Sequence, residues 1–426
     1  MILGIIADDF TGATDVASML VRAGMRTVQL IGVPSDDTVV DADAVVIALK
    51  SRTVPAADAV RESLAALRWL QRGGMRQCYF KVCSTFDSTP AGNIGPVTEA
   101  LMQALGADFA IACPAFPENS RTVYRGHLFV GDVLLSDSGM RDHPLTPMRD
   151  ANLVRVLQAQ SARRVGLLAH EPVAAGDAAV RARIAALRSD GVGIAIADAI
   201  TNDDLRVLGA ACAELPLLTA GSGLALGLPD VYAARGWLVP DAQAADLGAV
   251  TGRAAVLSGS CSLATNAQVA AWRNAGRPTF GIDARALARN EPVAALALAW
   301  AGEHIAQTPV LIYATASTTD LQAVQAELGA AHAGALVEAC LAQIAAGLVD
   351  TLGVQRLVVA GGETSGAVVQ ALGVARLRIG GAICPGVPWT RTDDRPGGAP
   401  LLLALKSGNF GGPAFFDEAL RWQHSA

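Results

Sequence analysis

A regular alternation of short apolar runs with helical patterns is the feature of this 426-residue chain that most constrains its fold. Runs that are apolar throughout, rather than at every second residue, are typical of parallel strands covered on both faces. In the first half they fall at residues 2–6, 27–31, 44–49, 78–82, 109–113, 164–168 and 193–197. Because amphipathic helical patterns lie between them, the sequence predicts an α/β fold with a largely parallel sheet.

The first intervening pattern spans residues 12–23 and predicts an amphipathic helix. The apolar residues there recur at i, i+3, i+4 and i+7, which places them on one helical face. Gly24 follows at the position where a helix C-terminus favours glycine. We therefore expect this helix to end just before the second strand.

The alternation pauses at residues 228–252, where Pro229 and Pro240 interrupt a mixture of polar residues and alanine. It then restarts, with strands predicted at 254–257, 310–314, 356–360, 377–379 and 401–405 and helices at 265–274 and 321–353, the latter divided near Gly334. We therefore predict two α/β domains with largely parallel sheets and an interdomain cleft, comprising residues 1–235 and 250–426.

Composition excludes several classes of protein. Lys and Arg total 33 against 39 Asp and Glu, a net charge of −6, and 52% of the residues are hydrophobic. This balance argues against intrinsic disorder and nucleic-acid binding. A membrane span is not expected, because the longest strongly apolar stretch we identify, residues 293–301, is shorter than the bilayer requires. Scattered cysteines without a CxxC pair and an N-terminus unlike a signal peptide predict a cytoplasmic protein.

Two adjacent acids follow the first predicted strand. Asp8 and Asp9 stand at its carboxyl end, where open α/β sheets bind their ligands, and Thr11 can cap the next helix. One interpretation is that either acid merely assists N-capping. The other is that the pair supplies a general base, a metal ligand or an acceptor for substrate hydroxyls.

Charged and hydroxyl side chains also follow the third, fourth and fifth predicted strands. The candidates there are Arg52, Lys81, Ser84, Asp87, Asn93, Arg121 and His127. Hydroxyl-rich loops often only form turns. A buried lysine on a strand requires a partner, however, and a substrate carboxylate is a natural one. Together these strand ends predict one polar pocket for a small hydroxylated anion in the first domain.

The second domain carries glycines and hydroxyls at its strand ends instead, in LSGSCS, AGGETSGA and KSGNFGG. Glycine lets backbone N–H groups approach a ligand closely, and helix N-termini attract anions. Each loop alone is equally consistent with a tight turn, but three of them favour nucleotide phosphates. The chain has neither a GxxxxGK[ST] motif nor a GxGxxG after its first strand, so this is not the usual P-loop or dinucleotide fold.

Together these motifs resemble those of the four-carbon acid sugar kinases, from about residue 3 to residue 416. They are, in order, DDFTGATD, KVCSTFDSTPAGNIG, CPAFPENSRTVYRGH, HPLTP, SGSCS, AGGETSGAV and LALKSGNFGG. The CSTFDSTPAGNIG loop is similar to that of the 3-oxo-tetronate kinase branch. The branch acting on D-threonate or D-erythronate more often has an Arg before the Gly-Asn, where Ala91 stands here.

The resemblance implies ATP-dependent phosphorylation of the C4 hydroxyl of a four-carbon sugar acid, with Mg²⁺, the sugar acid binding to the first domain and ATP to the second. The implied substrate set is Asp8, Asp9, Arg52, Lys81, Ser84 and Asp87, with Asn93, Arg121 and His127 as further members. The implied nucleotide set is Ser258, Gly361, Gly362, Glu363, Thr364, Gly408, Asn409 and Gly411. The resemblance leaves open which residues bind the metal and whether the protein forms a homo-oligomer.

Our hypothesis for the mechanism gives catalytic roles to three residues. Lys81, with Arg52, holds the substrate carboxylate, and Asp9, or Asp87 as second choice, accepts the proton of the attacking hydroxyl. Two other classes of protein stay open: an aldolase, isomerase or decarboxylase that uses Lys81 as a Schiff-base amine, and a sugar-acid binding protein. The first leaves the glycine-rich loops unexplained, and proteins of the second kind are usually exported.

Overall fold

A computed structural model describes residues 1–143, 145–395 and 398–421. Pro144, part of the HPLTP motif, lies outside the described residues. The chain divides into two compact units, Met1–Ala245 and Asp246–Ala426. Each unit contains a largely parallel sheet with intervening helices, so the predicted α/β class is confirmed. The cleft between domains stays a prediction.

In the first unit strands and helices alternate along the chain. The strands are β1 Leu3–Ala7, β2 Thr27–Ile31, β3 Ala44–Ala48, β4 Gln77–Lys81, β5 Ala110–Cys113, β6 Arg121–Tyr124, β7 His127–Val130, β8 Val133–Leu134, β9 Val165–Leu168, β10 Ile194–Ala197 and β11 Leu217–Ala220. The helices are α1 Phe10–Arg22, α2 Ala56–Arg72, α3 Ile94–Leu105, α4 Leu153–Gln158, α5 His170–Ala174, α6 Asp177–Ser189, α7 Asn202–Cys212 and α8 Pro229–Ala234, with 3₁₀ helices at Pro117–Asn119, Leu135–Asp137 and Ser222–Gly227.

The main sheet of this unit has the strand order β2-β3-β1-β4-β11-β5-β10-β9, and every neighbouring pair is parallel. The strands β1, β3 and β4 are buried along their whole length, which explains their continuous apolar sequences. Because these three strands are adjacent and parallel, the residues that follow them meet at one edge of the sheet.

The predicted strands of the first half agree with the observed ones to within one residue at each end. Helix α1 begins two residues earlier than predicted, and Gly24 follows its C-terminus with a φ of +79°, as expected of a helix-ending glycine. The sequence did not indicate β11 or the small antiparallel sheet β6-β7-β8. The strands β6, β7 and β8 are only partly buried, so they lack the continuous apolar runs by which the main strands are predicted.

The second unit follows the same alternation. Its strands are β12 Arg253–Ser258, β13 Thr279–Gly281, β14 Val310–Tyr313, β15 Val354–Ala360, β16 Arg376–Cys384, β17 Val387–Thr392 and β18 Leu401–Lys406. Its helices are α9 Leu263–Asn274, α10 Ala284–Ala288, α11 Val293–His304, α12 Thr318–Leu328, α13 Ala330–Ala346, α14 Gly362–Ala371 and α15 Phe415–Arg421, with a π-helical turn at Gly347–Thr351.

Strands of the second unit lie in the order β13-β14-β12-β15-β18-β17-β16. The first five are parallel, whereas β17 runs antiparallel to both of its neighbours. Trp272, Trp389 and Phe415 are buried in the core beside this sheet. The predicted helix break near Gly334 is wrong: α12 and α13 meet at Gly329, whose φ of +82° interrupts the helical backbone.

One helix of the described chain, Ala330–Thr351, is long and apolar enough to cross a membrane, with a mean hydropathy of 1.5. Isolated polar residues divide the apolar runs of this helix, so it is less conspicuous in the sequence than the uninterrupted stretch 293–301. Core helices of other proteins pass the same test, so this is weak evidence for a span. Here α13 packs against α10, α11 and α14, and Leu341 and Ile344 are fully buried. We therefore interpret it as a packing helix.

Candidate functional site

Arg52 is the centre of an acidic cluster at the carboxyl ends of β1 and β3. Its Nε and Nη2 donate to the two carboxylate oxygens of Asp8, at 3.0 and 2.8 Å, and Nη2 also donates to Asp9 Oδ1 at 2.7 Å. Asp87 Oδ2 lies 3.8 Å from Nη1. Burial raises the pKa of Asp8, although the charge of Arg52 offsets part of this effect. Arg52 is thus largely engaged by protein carboxylates.

Asp9 caps α1 and shares its charge among several donors. Its Oδ1 accepts the N–H of Gly12 at 3.0 Å, and its Oδ2 accepts the Thr11 hydroxyl at 2.8 Å. Against the opposing effect of burial, the charges of Arg52 and Lys81 lower its pKa. A Cβ atom at Gly12 would lie 2.2 Å from Asp9 Oδ1, so a larger residue there would displace the Asp9 carboxylate. Asp9 therefore caps α1 and also belongs to the acidic cluster around Arg52.

Lys81 ends β4 with its side chain almost fully buried, at 2% exposure. Within the described chain its ammonium makes one hydrogen bond, to the carbonyl oxygen of Val82 at 2.7 Å. The ammonium lies beside the start of α1, since a Cβ atom at Gly12 would be 2.9 Å from its Nζ. An ammonium can donate three hydrogen bonds. Lys81 therefore retains donor capacity for an anionic ligand.

The loop after β4 is buried and conformationally restrained. Phe86 is fully buried with a φ of +54°, a conformation that non-glycine residues rarely adopt. Next to it, Asp87 Oδ1 accepts the Thr85 hydroxyl at 2.6 Å. Ser84 and Ser88 of the same loop are also buried. The loop therefore presents hydroxyl and carboxylate groups in a fixed arrangement beside Arg52.

Asn93 acts on the loop that carries Arg52. Its Nδ2 donates to the carbonyl oxygens of Ser51, Arg52 and Val54 at 2.6, 3.1 and 2.9 Å. This side chain thus holds the 51–54 loop in place, which fits a supporting role better than a direct contact with substrate.

Arg121 and His127 occupy opposite ends of the β6-β7 hairpin. Arg121 pairs with Val130, whereas His127 pairs with Tyr124, next to the turn. Burial lowers the pKa of Arg121, and Cys83, Asp87 and Asp15 partly offset this effect, so its guanidinium lies within electrostatic range of the cluster. His127 instead bonds to the Arg125 carbonyl and the Asn152 side chain. The structure brings Arg121, but not His127, to the acidic cluster.

Asp15 is a buried acid that sequence reasoning missed as a site residue. Its Oδ2 accepts the Ser222 hydroxyl at 2.6 Å, while its Oδ1 has no partner among the described residues. Burial raises its pKa to about 7, although Lys81 acts in the opposite direction. The residue stands in the quoted DDFTGATD motif, but its partner lies 207 positions away, so the sequence alone gave no sign of the pair.

In the second unit the loops after β12, β15 and β18 converge. A Cβ atom at Gly361 would lie 3.2 Å from the amide nitrogen of Ser260, and one at Gly408 would lie 2.4 Å from the Ser260 hydroxyl. Gly361 precedes α14 with a φ of +126°, and Gly362 is the first residue of that helix. Thr364 is buried against this junction, whereas Glu363 and Asn409 are exposed. The structure thus brings the predicted glycine loops together.

Ser258 differs from the other members of the predicted nucleotide set. Its side chain is fully buried, and its hydroxyl is hydrogen-bonded to that of Thr315 at 2.6 Å across the β12-β14 pair. This hydroxyl joins two strand ends. Any contribution of Ser258 to ligand binding therefore has to come through its backbone or its support of the neighbouring loops.

Lys406, the last residue of β18, is a second buried lysine that sequence reasoning left out of the site. Its ammonium donates to the Thr265 hydroxyl at 3.0 Å and to the carbonyl oxygens of Ser407, Gly408 and Phe410 at 3.0, 2.9 and 3.2 Å. Burial lowers its pKa to about 7. A lysine at the end of the apolar run LLLALK, as in QCYFK of β4, is the signal that could have revealed it.

A cavity of about 570 Å³ opens at the other edge of the same sheet. Its lining includes Val354, the first residue of β15, and Arg395, which pairs with Asp350. None of the predicted site residues lines it. It lies at the amino ends of the strands, opposite the edge at which α/β sheets bind their ligands.

Comparison with known families assigns a class to each unit. Residues 3–228 match the model of a sugar-binding N-terminal domain, and residues 255–416 match that of a nucleotide-binding C-terminal domain. The chain is thus a two-domain α/β protein that combines a sugar-binding with a nucleotide-binding domain. It belongs to the four-carbon acid sugar kinase family, which confirms the resemblance seen in its motifs.

Individual relatives cover nearly the whole chain. The 3-oxo-tetronate kinase of Burkholderia multivorans is 64% identical over 420 residues, which span 99% of this chain and 97% of that protein. The 3-oxo-tetronate kinase of Cupriavidus necator is also 64% identical, over 99% of this chain and 96% of that protein. A crystal structure described as a putative tRNA synthase from Salmonella typhimurium LT2 is 46% identical, with a TM-score of 0.85 and 98% of both chains covered.

Proposed function

We propose that this protein is an ATP-dependent kinase that phosphorylates the C4 hydroxyl of 3-oxo-tetronate, yielding 3-oxo-tetronate 4-phosphate and ADP. Full-length identity of 64% to 3-oxo-tetronate kinases supports the reaction. The observation in the structure that carries it is the buried Lys81 ammonium, which makes a single hydrogen bond to the described residues and lies beside a cluster of carboxylates. Such a site offers a cation to the substrate carboxylate and acceptors to its hydroxyls.

Lys81 and Arg121 are the cations that we assign to the substrate carboxylate. The sequence favoured Lys81 with Arg52, but the Arg52 fork is already bound to Asp8 and Asp9. Arg121 has a buried Nε without a partner among the described residues. Since a buried donor without a partner costs free energy, a ligand carboxylate would be stabilised there. Arg52 then acts by neutralising and orienting the acids around the pocket.

Asp87 is the better placed of the two candidate bases. Both oxygens of Asp9 accept hydrogen bonds from protein groups, and its lowered pKa makes it a weak proton acceptor. Asp87 has one oxygen bound to Thr85, while the other lies 3.8 Å from the nearest Arg52 nitrogen. In our proposal Asp87 orients the C4 hydroxyl and accepts its proton.

Transfer then proceeds by displacement at the γ-phosphorus of ATP. The C4 oxygen forms a bond to phosphorus, the bond from phosphorus to the β,γ-bridging oxygen breaks, and ADP leaves with that electron pair. The loops around Gly361 and Gly408 offer backbone N–H groups to the phosphates. Positioning and charge stabilisation supply most of the catalysis in this reaction class, so few side chains need to take part covalently.

Magnesium enters this proposal as part of the ATP substrate. No group of three or more His, Cys, Asp or Glu side chains that could hold a metal ion occurs among the residues described by the structure. Mg²⁺ commonly binds through substrate phosphates and few carboxylates. We therefore assign its ligands mainly to phosphate oxygens and name no protein ligand set.

A coupled ADP-release assay on a panel of four-carbon acids tests the proposal. We expect turnover with 3-oxo-tetronate, and kcat/KM values for D-threonate and D-erythronate that are lower by about 100-fold or more. Turnover confined to D-threonate or D-erythronate would contradict the substrate. ATP-independent conversion of the acid, with a borohydride-trapped adduct on Lys81, would instead establish Schiff-base chemistry.

A further inference from the structure

The loop of residues 407–412, which follows β18, has its carbonyl oxygens held by buried side chains. Lys406 binds the carbonyls of residues 407, 408 and 410. Gln268 Nε2, from α9, donates to the carbonyls of residues 410, 411 and 412 at 3.0, 3.0 and 3.1 Å. Lys406 and Gln268 are fully or almost fully buried. Two buried donor groups thus bind five of the six carbonyl oxygens in the loop, those of residues 407, 408, 410, 411 and 412.

Gly408 is fixed most tightly. Besides Lys406, its carbonyl oxygen accepts the hydroxyls of Ser262 and Thr265, at 2.6 and 2.8 Å. Ser262 is also the N-cap of α9, so the loop is tied directly to the start of that helix. The position of this carbonyl is therefore set by three donors from β18 and α9.

Planar peptide geometry turns this arrangement into a prediction for the N–H groups. In a trans peptide the C=O and the following N–H point in opposite directions, and the described chain has no cis peptide bonds. Holding the carbonyls of residues 407, 408, 410 and 411 therefore turns the N–H groups of Gly408, Asn409, Gly411 and Gly412 the other way. Within the described residues these four N–H groups make no hydrogen bond.

We infer that Lys406 and Gln268 are positioning residues for nucleotide binding, which orient the N–H groups of the 408–412 loop toward the ATP phosphates. The inference rests on the proposed function, because it takes the anion to be a nucleotide phosphate. Neither side chain touches the nucleotide in this account. Lys406 aligns the peptide groups through its hydrogen bonds to their carbonyl oxygens, and the aligned N–H groups supply the partial positive charge that the phosphates contact.

The test is ADP affinity by titration calorimetry, together with separate KM values for ATP and sugar acid. We expect Lys406→Met and Gln268→Met to weaken ADP binding and to raise the KM for ATP by about tenfold or more. This is the effect of losing one hydrogen bond between a loop N–H group and a charged phosphate. The KM for the sugar acid should stay within about twofold. This split separates positioning of ATP from general loss of structure.

Gln77→Met is the matched control. Gln77 is a buried amide in the first unit that likewise binds backbone carbonyls, those of Cys212 and Leu215, at the opposite end of β4 from Lys81. It should lose stability without losing ADP affinity. Should Lys406→Met fail to fold, Gln268→Met still decides the question. ADP binding unchanged in a folded Gln268→Met protein would overturn the inference, whereas a wild-type protein that binds no ADP would overturn the proposed function itself.

Discussion

Two buried lysines end strands in the two units, and their surroundings differ. Lys81 ends β4 near Asp9 and Asp15, and its ammonium makes one hydrogen bond within the part of the chain that the structure describes. Lys406 ends β18 with four oxygen acceptors, three of them backbone carbonyls. A buried ammonium requires compensation in either case. At β18 the protein supplies it and gains an ordered loop, whereas at β4 the compensation is incomplete and a ligand can complete it.

The residues at the other strand ends of the two units differ in the same way. The first unit places acids and bases at adjoining strand ends, which suits a small molecule carrying one carboxylate and several hydroxyls. The second unit uses its lysine internally and presents backbone N–H groups, which suit the closely spaced oxygens of phosphates. The same residue type at the same structural position thus serves recognition in one unit and loop geometry in the other.

The largest effect is expected from Asp87→Asn. If the Asp87 carboxylate, which lies beside Arg52, accepts the C4 proton, its loss should lower kcat about 1,000-fold with a smaller change in the KM for the sugar acid. Asp9→Asn is the comparison variant, for which we expect a larger loss of stability, because Asp9 caps α1 and binds Arg52. A kcat that falls in Asp9→Asn but not in Asp87→Asn would reverse the assignment of the base.

A second expected effect concerns pH and Asp15, the buried acid near Lys81. Its pKa is about 7 in the folded protein against an ordinary value of 3.8, so the folded state retains a proton that the unfolded state loses between these values. The free energy of unfolding should therefore fall as pH rises from about 4 to 7. For a shift of this size the loss is on the order of 4 kcal/mol.

Asp15→Asn removes that titration and should flatten the pH dependence of stability, leaving the variant more stable than the wild-type protein at pH 8. Denaturant unfolding at a series of pH values measures it, with the exposed Asp203→Asn as control. Equal slopes for Asp15→Asn and the wild-type protein would show that Asp15 ionises normally.

The smallest effect is expected from Ser258→Ala in the second unit. Its hydroxyl bonds to that of Thr315 rather than standing free at the strand end. We expect the KM for ATP to change by less than about threefold and stability to fall by about 1 kcal/mol. A rise in the KM for ATP comparable to that of Lys406→Met, without loss of stability, would show that the hydroxyl contacts the nucleotide directly.

Much of the fold follows from local sequence, because each main strand is a short run buried on both faces. Asp8, Asp9 and Lys81 can also be predicted as site residues, because charged residues at the ends of apolar strands are conspicuous in the sequence. What the sequence could not reveal depends on partners distant along the chain. Gln268 lies more than 140 positions from the carbonyls that it binds.

Residues that share a motif also took different roles. Asn93 stands in the substrate-loop motif, yet its amide holds the 51–54 loop. His127 stands in the CPAFPENSRTVYRGH motif, yet hairpin register places it away from Arg121. Motif membership indicates which residues belong to the neighbourhood, whereas three-dimensional contacts decide which side chains are free to bind a ligand.

Two-substrate kinetics of the wild-type, Lys81→Met and Lys406→Met proteins test the central claim most directly. We expect Lys81→Met to raise the KM for the sugar acid about 100-fold and to leave the KM for ATP nearly unchanged. Lys406→Met should do the reverse, with a rise of about tenfold in the KM for ATP. If both variants raised the same KM, or if the pattern were exchanged, the division of roles between the two lysines would be wrong.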